Sequence, residues 1–270
     1  MPELPEVETI ARRLEPELVG RRILDADVLW QRTLATPSLD EFKAQIQGQK
    51  ILAVTRRAKY FIMNLSDASL LIHLRMSGDL EVKSSTAQPL KHDRVILKLS
   101  GRKSLFFNDT RKFGRVWLVN QPDEVLGRLG PEPFSKDFTA QWLYQALQGK
   151  NRQLKPLLLD QTFLAGLGNI YTDEALHLAR LHPLTASNAI TPEQAGELRK
   201  AVRSVLRKGI RRHGASIDWM YRGGEYQNYF RVYDREGQAC ANCGTPIQRM
   251  IVGQRSTHFC PNCQAEVAHD

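Results

Sequence analysis

The chain has 270 residues, enough for one large or two ordinary domains with real cores. Its 38 Lys and Arg exceed its 29 Asp and Glu, a net charge of +9 that fits a nucleic-acid partner. No apolar run is long enough to cross a membrane, and the acidic N-terminus does not read as a signal peptide; the expected compartment is the cytoplasm, where four cysteines favour metal or free thiols over disulfides.

The chain opens Met1-Pro-Glu-Leu-Pro-Glu-Val-Glu8. Removal of Met1 would leave Pro2 as a free secondary amine with the Glu3 carboxylate beside it. An unprotonated amine attacks an aldehyde carbon and forms a Schiff base. A terminal amine titrates about 2.5 units below Lys, on the order of 3.4 kcal/mol in favour of the neutral nucleophile at pH 7. The other reading is a helix start. Pro5 suits the first turn, Glu6 and Glu8 suit the positive end of a helix dipole, and Val7, Ile10, Leu14 and Leu18 make one apolar stripe ended by Gly20. That reading holds for residues 5–19 and leaves Pro2-Glu3 unexplained.

Short apolar runs follow at Ile23–Leu29, Lys50–Val54, Tyr60–Leu65, Leu70–Leu74, Leu80–Val82, Val95–Leu99, Ser104–Phe107 and Val116–Val119. Turn residues separate them, the pattern of a β-sandwich or barrel. Two of the connections carry cations. Arg56-Arg57-Ala-Lys59 reads as a solvated loop or as a phosphate clamp aiming Lys59 at a reacting centre. Asn108-Asp-Thr-Arg111-Lys-Phe113-Gly projects a cation and an aromatic together, and with Met76 could enter a base stack. His92, at a strand start, stands out among seven histidines; the other six read as structural or solvated.

Leu129-Gly-Pro-Glu-Pro-Phe134 reads as a hinge, and beyond it the pattern turns helical. Helices are expected at Phe138–Leu147, Leu154–Asp160, Asn169–Leu181 and from Thr191-Pro192 to about residue 213, the last very basic in its second half. Gly166-Leu-Gly168-Asn169 before a helix could bind phosphate or be an ordinary turn. Residues 215–236 read as a loop. Last come Cys240-Ala-Asn-Cys243 and Cys260-Pro-Asn-Cys263, the spacing of a closed four-thiolate, structural Zn²⁺ site around a β-hairpin. So small a module needs its metal to fold.

Taken in order, the N-terminal octapeptide, Arg-Ala-Lys-Tyr, Lys-His-Asp, Asp-Thr-Arg-Lys-Phe-Gly, Gly-Leu-Gly-Asn-Ile-Tyr and the four-cysteine finger closely resemble bacterial formamidopyrimidine-DNA glycosylases, over essentially the whole chain. The resemblance implies an α+β protein: an N-terminal β-sandwich with its N-terminal helix over residues 1–130, a helix–two-turns–helix domain over 131–225 and a zinc finger over 234–268. It implies a bifunctional glycosylase/lyase acting as a monomer on damaged double-stranded DNA. Such an enzyme excises 8-oxoguanine and formamidopyrimidines, then cuts the strand by β,δ-elimination. Carried over, Pro2 is the nucleophile, Glu3 the general acid/base, Glu6 a supporting carboxylate, Lys59 a catalytic assistant and Arg255 a phosphate-binding residue linked to the second elimination. His92, Arg111 and Asn169 match DNA contacts, and Met76, Arg111 and Phe113 match the trio that fills the gap left by an everted base. Asn151 stands where the family often has a basic residue, with Arg152 beside it, so that phosphate contact is open. Residues 217–230 match the family's lesion-reading loop without a residue-by-residue alignment. Two rivals remain: the endonuclease VIII sister enzymes for oxidised pyrimidines, against which Leu4 argues, and a non-catalytic zinc-finger protein, against which Pro2 and Glu3 argue.

Overall fold

A computed structural model describes residues 1–216 and 223–265. The first part of the lesion-reading loop expected at 217–230, and the expected end of the finger at 268, lie outside the described residues. The chain divides into two compact units, one of residues 1–128 with 213–224, the other of 129–212 with 225–270.

The first unit begins with α1 (Leu4–Leu18), which buries Val7, Ile10, Leu14 and Leu18 on one stripe, as expected. Next come β1 (Ile23–Val28), β2 (Leu34–Thr36), α2 (Leu39–Ile46), β3 (Ile51–Arg57), β4 (Tyr60–Leu65), β5 (Ser69–His73), β6 (Gly78–Ser84), β7 (Asp93–Leu99), β8 (Lys103–Asp109), β9 (Arg115–Val119) and the single turn α3 (Asp123–Leu126). All eight expected strands form. One sheet has the order β1-β7-β8-β6 and the other β2-β9-β5-β4-β3. Their inward side chains, Phe61, Ile72, Leu97 and Phe107 among them, share one apolar core with the α1 stripe. Three elements escaped the sequence reading, the single turn α3 among them. β2 is only three residues long and pairs in parallel with β9. α2 carries a capping box that was visible in the chain: the Glu41 carboxylate accepts from the Ser38 backbone N–H at 3.1 Å.

The second unit holds α4 (Ala140–Gln148), α5 (Leu154–Leu159), α6 (Asn169–Leu178), α7 (Pro192–Arg211) and the hairpin of β10 (Gln248–Val252) and β11 (Arg255–Phe259). Thr191 caps α7 as expected, exchanging hydrogen bonds with Gln194. α6 and α7 approach closely at Gly209, where any Cβ would lie 2.5 Å from the Tyr171 ring. The Tyr171 ring in turn stacks on Tyr226, with centroids 5.1 Å apart.

The finger hairpin is pinned to the helices by charge. Lys155 on α5 is fully buried, and its ammonium lies 2.6 Å from the Asp173 carboxylate of α6. The ammonium also donates to Thr257 Oγ1 at 2.8 Å and to the Ser256 carbonyl at 3.0 Å. The other Asp173 oxygen accepts the His258 N–H at 2.9 Å. Glu174, next along α6, accepts the backbone N–H groups of Arg231, Val232 and Tyr233. Burial raises the Glu174 carboxyl above its ordinary pKa despite those three donors.

Removing one charge from a buried pair strands the other. Asp173→Asn should therefore cost about 3–5 kcal/mol of stability, read as a lower denaturant midpoint. An unchanged midpoint would show that the pair does not pin the hairpin.

Candidate active site and metal centre

The N-terminal helix presents the expected nucleophile. Pro2 and Glu3 are buried, and Glu3 is the residue from which α1 starts. Glu6 holds this end in place. One carboxylate oxygen accepts the Glu3 N–H at 2.8 Å, and the other accepts the Ala215 N–H, also at 2.8 Å. Gly214 lies at φ +80°, where its missing Cβ leaves room for Glu6; an added Cβ would lie 2.7 Å from the carboxylate. A chain end frays unless it is tied, and Glu6 supplies the tie.

Lys59 is buried at the tight turn between β3 and β4. The preceding Ala58 has φ +53°, a left-handed conformation that a residue with a Cβ adopts only when held there. Arg56 holds it, donating to the Ala58 carbonyl at 3.1 Å and to Glu8 of α1 at 2.8 Å. Burial opposes the charge on Glu8, but Arg56 and then Arg12 outweigh it and keep the carboxyl below its ordinary pKa. Glu8 was read from the sequence only as a helix-dipole residue; it also ties the helix to the Lys59 turn. His73, across the sheet from Tyr60, accepts the Arg75 N–H at Nδ1. Burial, then the nearby Arg75 and Lys59 charges, pushes His73 down to about 3, so it stays neutral at physiological pH.

The residues expected to act as a wedge sit on two neighbouring loops of the same unit. Met76 is 37% exposed and Phe113 51% exposed, unusual for large apolar side chains. Beneath them Asp109 is buried. Its carboxylate accepts the Ser77 hydroxyl from the Met76 loop. From the other loop it accepts the Arg111 N–H at 3.2 Å and the Gly114 N–H at 2.7 Å. The Arg111 guanidinium lies 5.0 Å from the Phe113 ring centroid. His92 joins the group through its carbonyl, which accepts the Asp109 N–H at 2.9 Å. The structure thus gathers the segments carrying Met76, His92, Arg111 and Phe113 around one residue, Asp109. The sequence reading named those four and passed over Asp109.

In the second unit, Asn169 starts α6 and donates its amide to the Ser256 carbonyl at 2.8 Å, next to Arg255 at the start of β11. The hairpin turn at Gly253 and Gln254 has φ of +54° and +62°, which leaves Arg255 exposed at the tip. Asn151 is exposed and makes no side-chain hydrogen bond among the described residues. Arg152 is committed to Asp160 at 2.8 Å.

The four cysteine sulfurs lie within 4.8 Å of one another. Cys240–Cys263, Cys243–Cys260 and Cys243–Cys263 stand at 3.9, 3.4 and 3.5 Å. Tetrahedral Zn–S bonds of about 2.3 Å need sulfurs about 3.8 Å apart, so the set fits one zinc ion with no ligand position left open. His177, which the sequence reading left as structural or solvated, is buried with Nε2 3.5 Å from the Cys240 sulfur. Burial lowers His177 to about 4, so a neutral imidazole faces the Cys240 sulfur. Such outer-shell hydrogen bonds orient metal ligands.

Three family models match in chain order: the formamidopyrimidine-DNA glycosylase N-terminal domain over residues 1–116, its H2TH domain over 129–220, and the zinc finger found in FPG and IleRS over 237–265. The formamidopyrimidine-DNA glycosylase of Chloroflexus aurantiacus is 48% identical, with 98% of each chain covered. That of Pelotomaculum thermopropionicum is 44% identical, covering 98% of this chain and 99% of its own. Among solved structures, Lactococcus lactis Fpg with abasic-site DNA superposes with a TM-score of 0.92 at 37% identity. MutM with DNA containing carbocyclic 8-oxo-G gives 0.92 at 38%; both cover 98% of this chain and all of their own. With its three modules matched in order and close relatives aligned from end to end, this chain belongs to the formamidopyrimidine-DNA glycosylase family.

Proposed function

We propose that this protein excises oxidised purines from duplex DNA and then cuts the strand at the abasic site. The observation that carries the reading is the N-terminus: an imino acid and a buried carboxylate at the start of a helix clamped by Glu6. The substrates named with its structural relatives, an 8-oxo-G analogue and abasic-site DNA, are of the same class. The modules are assigned to 1–130, 131–225 and 234–268.

The target C1′ is out of reach inside a duplex, so the nucleotide leaves the stack. Met76, Arg111 and Phe113 enter the gap and offset part of the lost stacking, while His92 and Asn169 hold phosphates. Asn151, whose side chain is uncommitted, makes the adjacent phosphate contact in preference to Arg152. The neutral Pro2 nitrogen then attacks C1′. The glycosidic bond breaks, and its electron pair leaves with the base, which takes up a proton. Glu3 delivers a proton to O4′ as the sugar ring opens, and the product is an iminium between Pro2 and C1′. Loss of a C2′ proton expels the 3′ phosphate, and a second elimination, assisted by Arg255, expels the 5′ phosphate. Lys59 stabilises charge near the lesion's phosphate. Zn²⁺ held by Cys240, Cys243, Cys260 and Cys263 would neutralise the thiolates and keep the hairpin folded. Its part is structural, because four thiolates leave no place for substrate.

Borohydride should trap a covalent adduct between the mature N-terminus and 8-oxoguanine DNA, located by mass spectrometry. Trapping that persists undiminished in Pro2→Gly, or with Met1 retained, would remove Pro2 from its role. A cleavage panel of oxidised purines, oxidised pyrimidines and abasic sites should show fastest turnover of the purines; preference for the pyrimidines would favour the sister activity.

Phe113→Ala should slow 8-oxoguanine excision by roughly 5- to 150-fold, since an aromatic stack on a base contributes about 1–3 kcal/mol. Equal rates would exclude a wedge role. Chelation of zinc should unfold the finger and abolish DNA binding while the β-sheet unit keeps its circular dichroism. Undiminished binding by metal-free protein would detach the finger from DNA recognition.

A further inference from the structure

Four arginines recur at every fourth residue of α7: Arg199, Arg203, Arg207 and Arg211. The residues that α7 buries, Leu198, Val202, Val205, Leu206 and Gly209, occupy a different stripe of the same helix. At 100° per residue the row starts beside that stripe and winds to the far side of the helix. With Lys200 and Ser204 the four line an open groove of about 500 Å³ that contains no carboxylate and no apolar side chain.

Like charges four residues apart destabilise a helix, and this row repeats that placement three times. None of the four has a carboxylate partner among the described residues; on this face the only ion pair is between Lys200 and Glu197. Neutral groups orient the arginines instead. Arg199 donates to the Phe138 carbonyl at 2.6 Å, and Arg203 donates to the Pro133 carbonyl at 2.9 Å. Arg203 and Arg207 both lie over the Phe134 ring, 5.7 and 5.8 Å from its centroid. Burial, then the Arg199 and Arg207 charges, lowers the proton affinity of Arg203, which marks the repulsion within the row. Three of the guanidiniums are thus held in position, Arg211 is exposed, and no carboxylate among the described residues compensates the four charges.

The shape selects the occupant. A single phosphate needs donors that converge, whereas this row climbs about 18 Å. One strand of B-form DNA passes about five phosphates over that length, at 3.4 Å of rise each. An acidic protein partner would also want an apolar anchor pocket, and the groove has none. We propose that the α7 arginine row is an accessory DNA-binding surface, gripping phosphates of a duplex segment outside the lesion contacts. This rests on the DNA-repair reading above. Such a grip would hold the enzyme on undamaged DNA between lesions.

The test is the salt dependence of binding to a long, lesion-free duplex. In Arg207→Gln/Arg211→Gln, the slope of log K against log salt should become less steep by about 1.8, or 0.9 for each phosphate that is no longer neutralised. Arg207→Lys/Arg211→Lys should keep the wild-type slope. The Gln variant should melt no lower than wild type, because it relieves repulsion. Single-turnover excision from a short duplex that only spans the lesion should be unchanged. An unaltered slope on the long duplex would overturn the proposal. So would an equal weakening on the short duplex, which would make the row part of the lesion interface. If wild-type protein fails to excise 8-oxoguanine, the catalytic reading falls, and the slope comparison still decides the role of the row.

Discussion

A chain terminus must be held still if it is to react, and one carboxylate holds this one. Glu6 accepts the Glu3 N–H with one oxygen and the Ala215 N–H with the other. The second bond reaches across 209 residues of sequence, and Gly214 makes room for it. A free amine on a frayed end would sample many positions, and a reaction needs near-attack geometry held within about half an ångström. The apolar stripe of α1 supplies the rest of the rigidity by burying Val7, Ile10, Leu14 and Leu18 in the core between the two sheets.

The same device recurs wherever loops must be held in register. Asp109 joins the Met76 loop to the Arg111–Phe113 loop. Glu174 gathers three consecutive backbone N–H groups of the segment leading into the finger. Asp173, paired with Lys155, anchors β11. Each carboxylate is buried and accepts hydrogen bonds from segments distant in sequence. Buried ionic groups add little net stability, but a geometry that leaves one unpaired is strongly disfavoured. They therefore specify which loop lies against which element.

The α7 row shows the opposite treatment of charge. At the β3–β4 turn, Arg56 is tied down by Glu8 and by the Ala58 carbonyl. On α7, Arg199 and Arg203 are propped on carbonyls, Arg203 and Arg207 on a ring, and none of the row meets a carboxylate among the described residues. Charge that is neutralised positions a residue within the fold; charge that is oriented and left bare is available to an outside anion. By that criterion the net charge of +9 is a local property of surfaces as well as an average.

Local patterns were enough to read the strands, the α1 stripe, the Thr191 cap and the cysteine spacing, because each of these depends on near neighbours in the chain. They also singled out Pro2-Glu3 as the pair proposed above to react. The short β2 was not legible, since three residues carry no periodicity, and α2 was missed although its Ser38–Glu41 capping box was there to be read. Lys155 was hidden among leucines, and His177 looked like any helix residue until the fold set it 3.5 Å from Cys240. Asp109, Glu8 and the second bond of Glu6 belong to the same class. Residue types and local spacing determined most of the elements and named the candidate reactive groups; only the tertiary structure decided which polar groups meet, because a buried carboxylate takes donors from whatever backbone the fold brings to it.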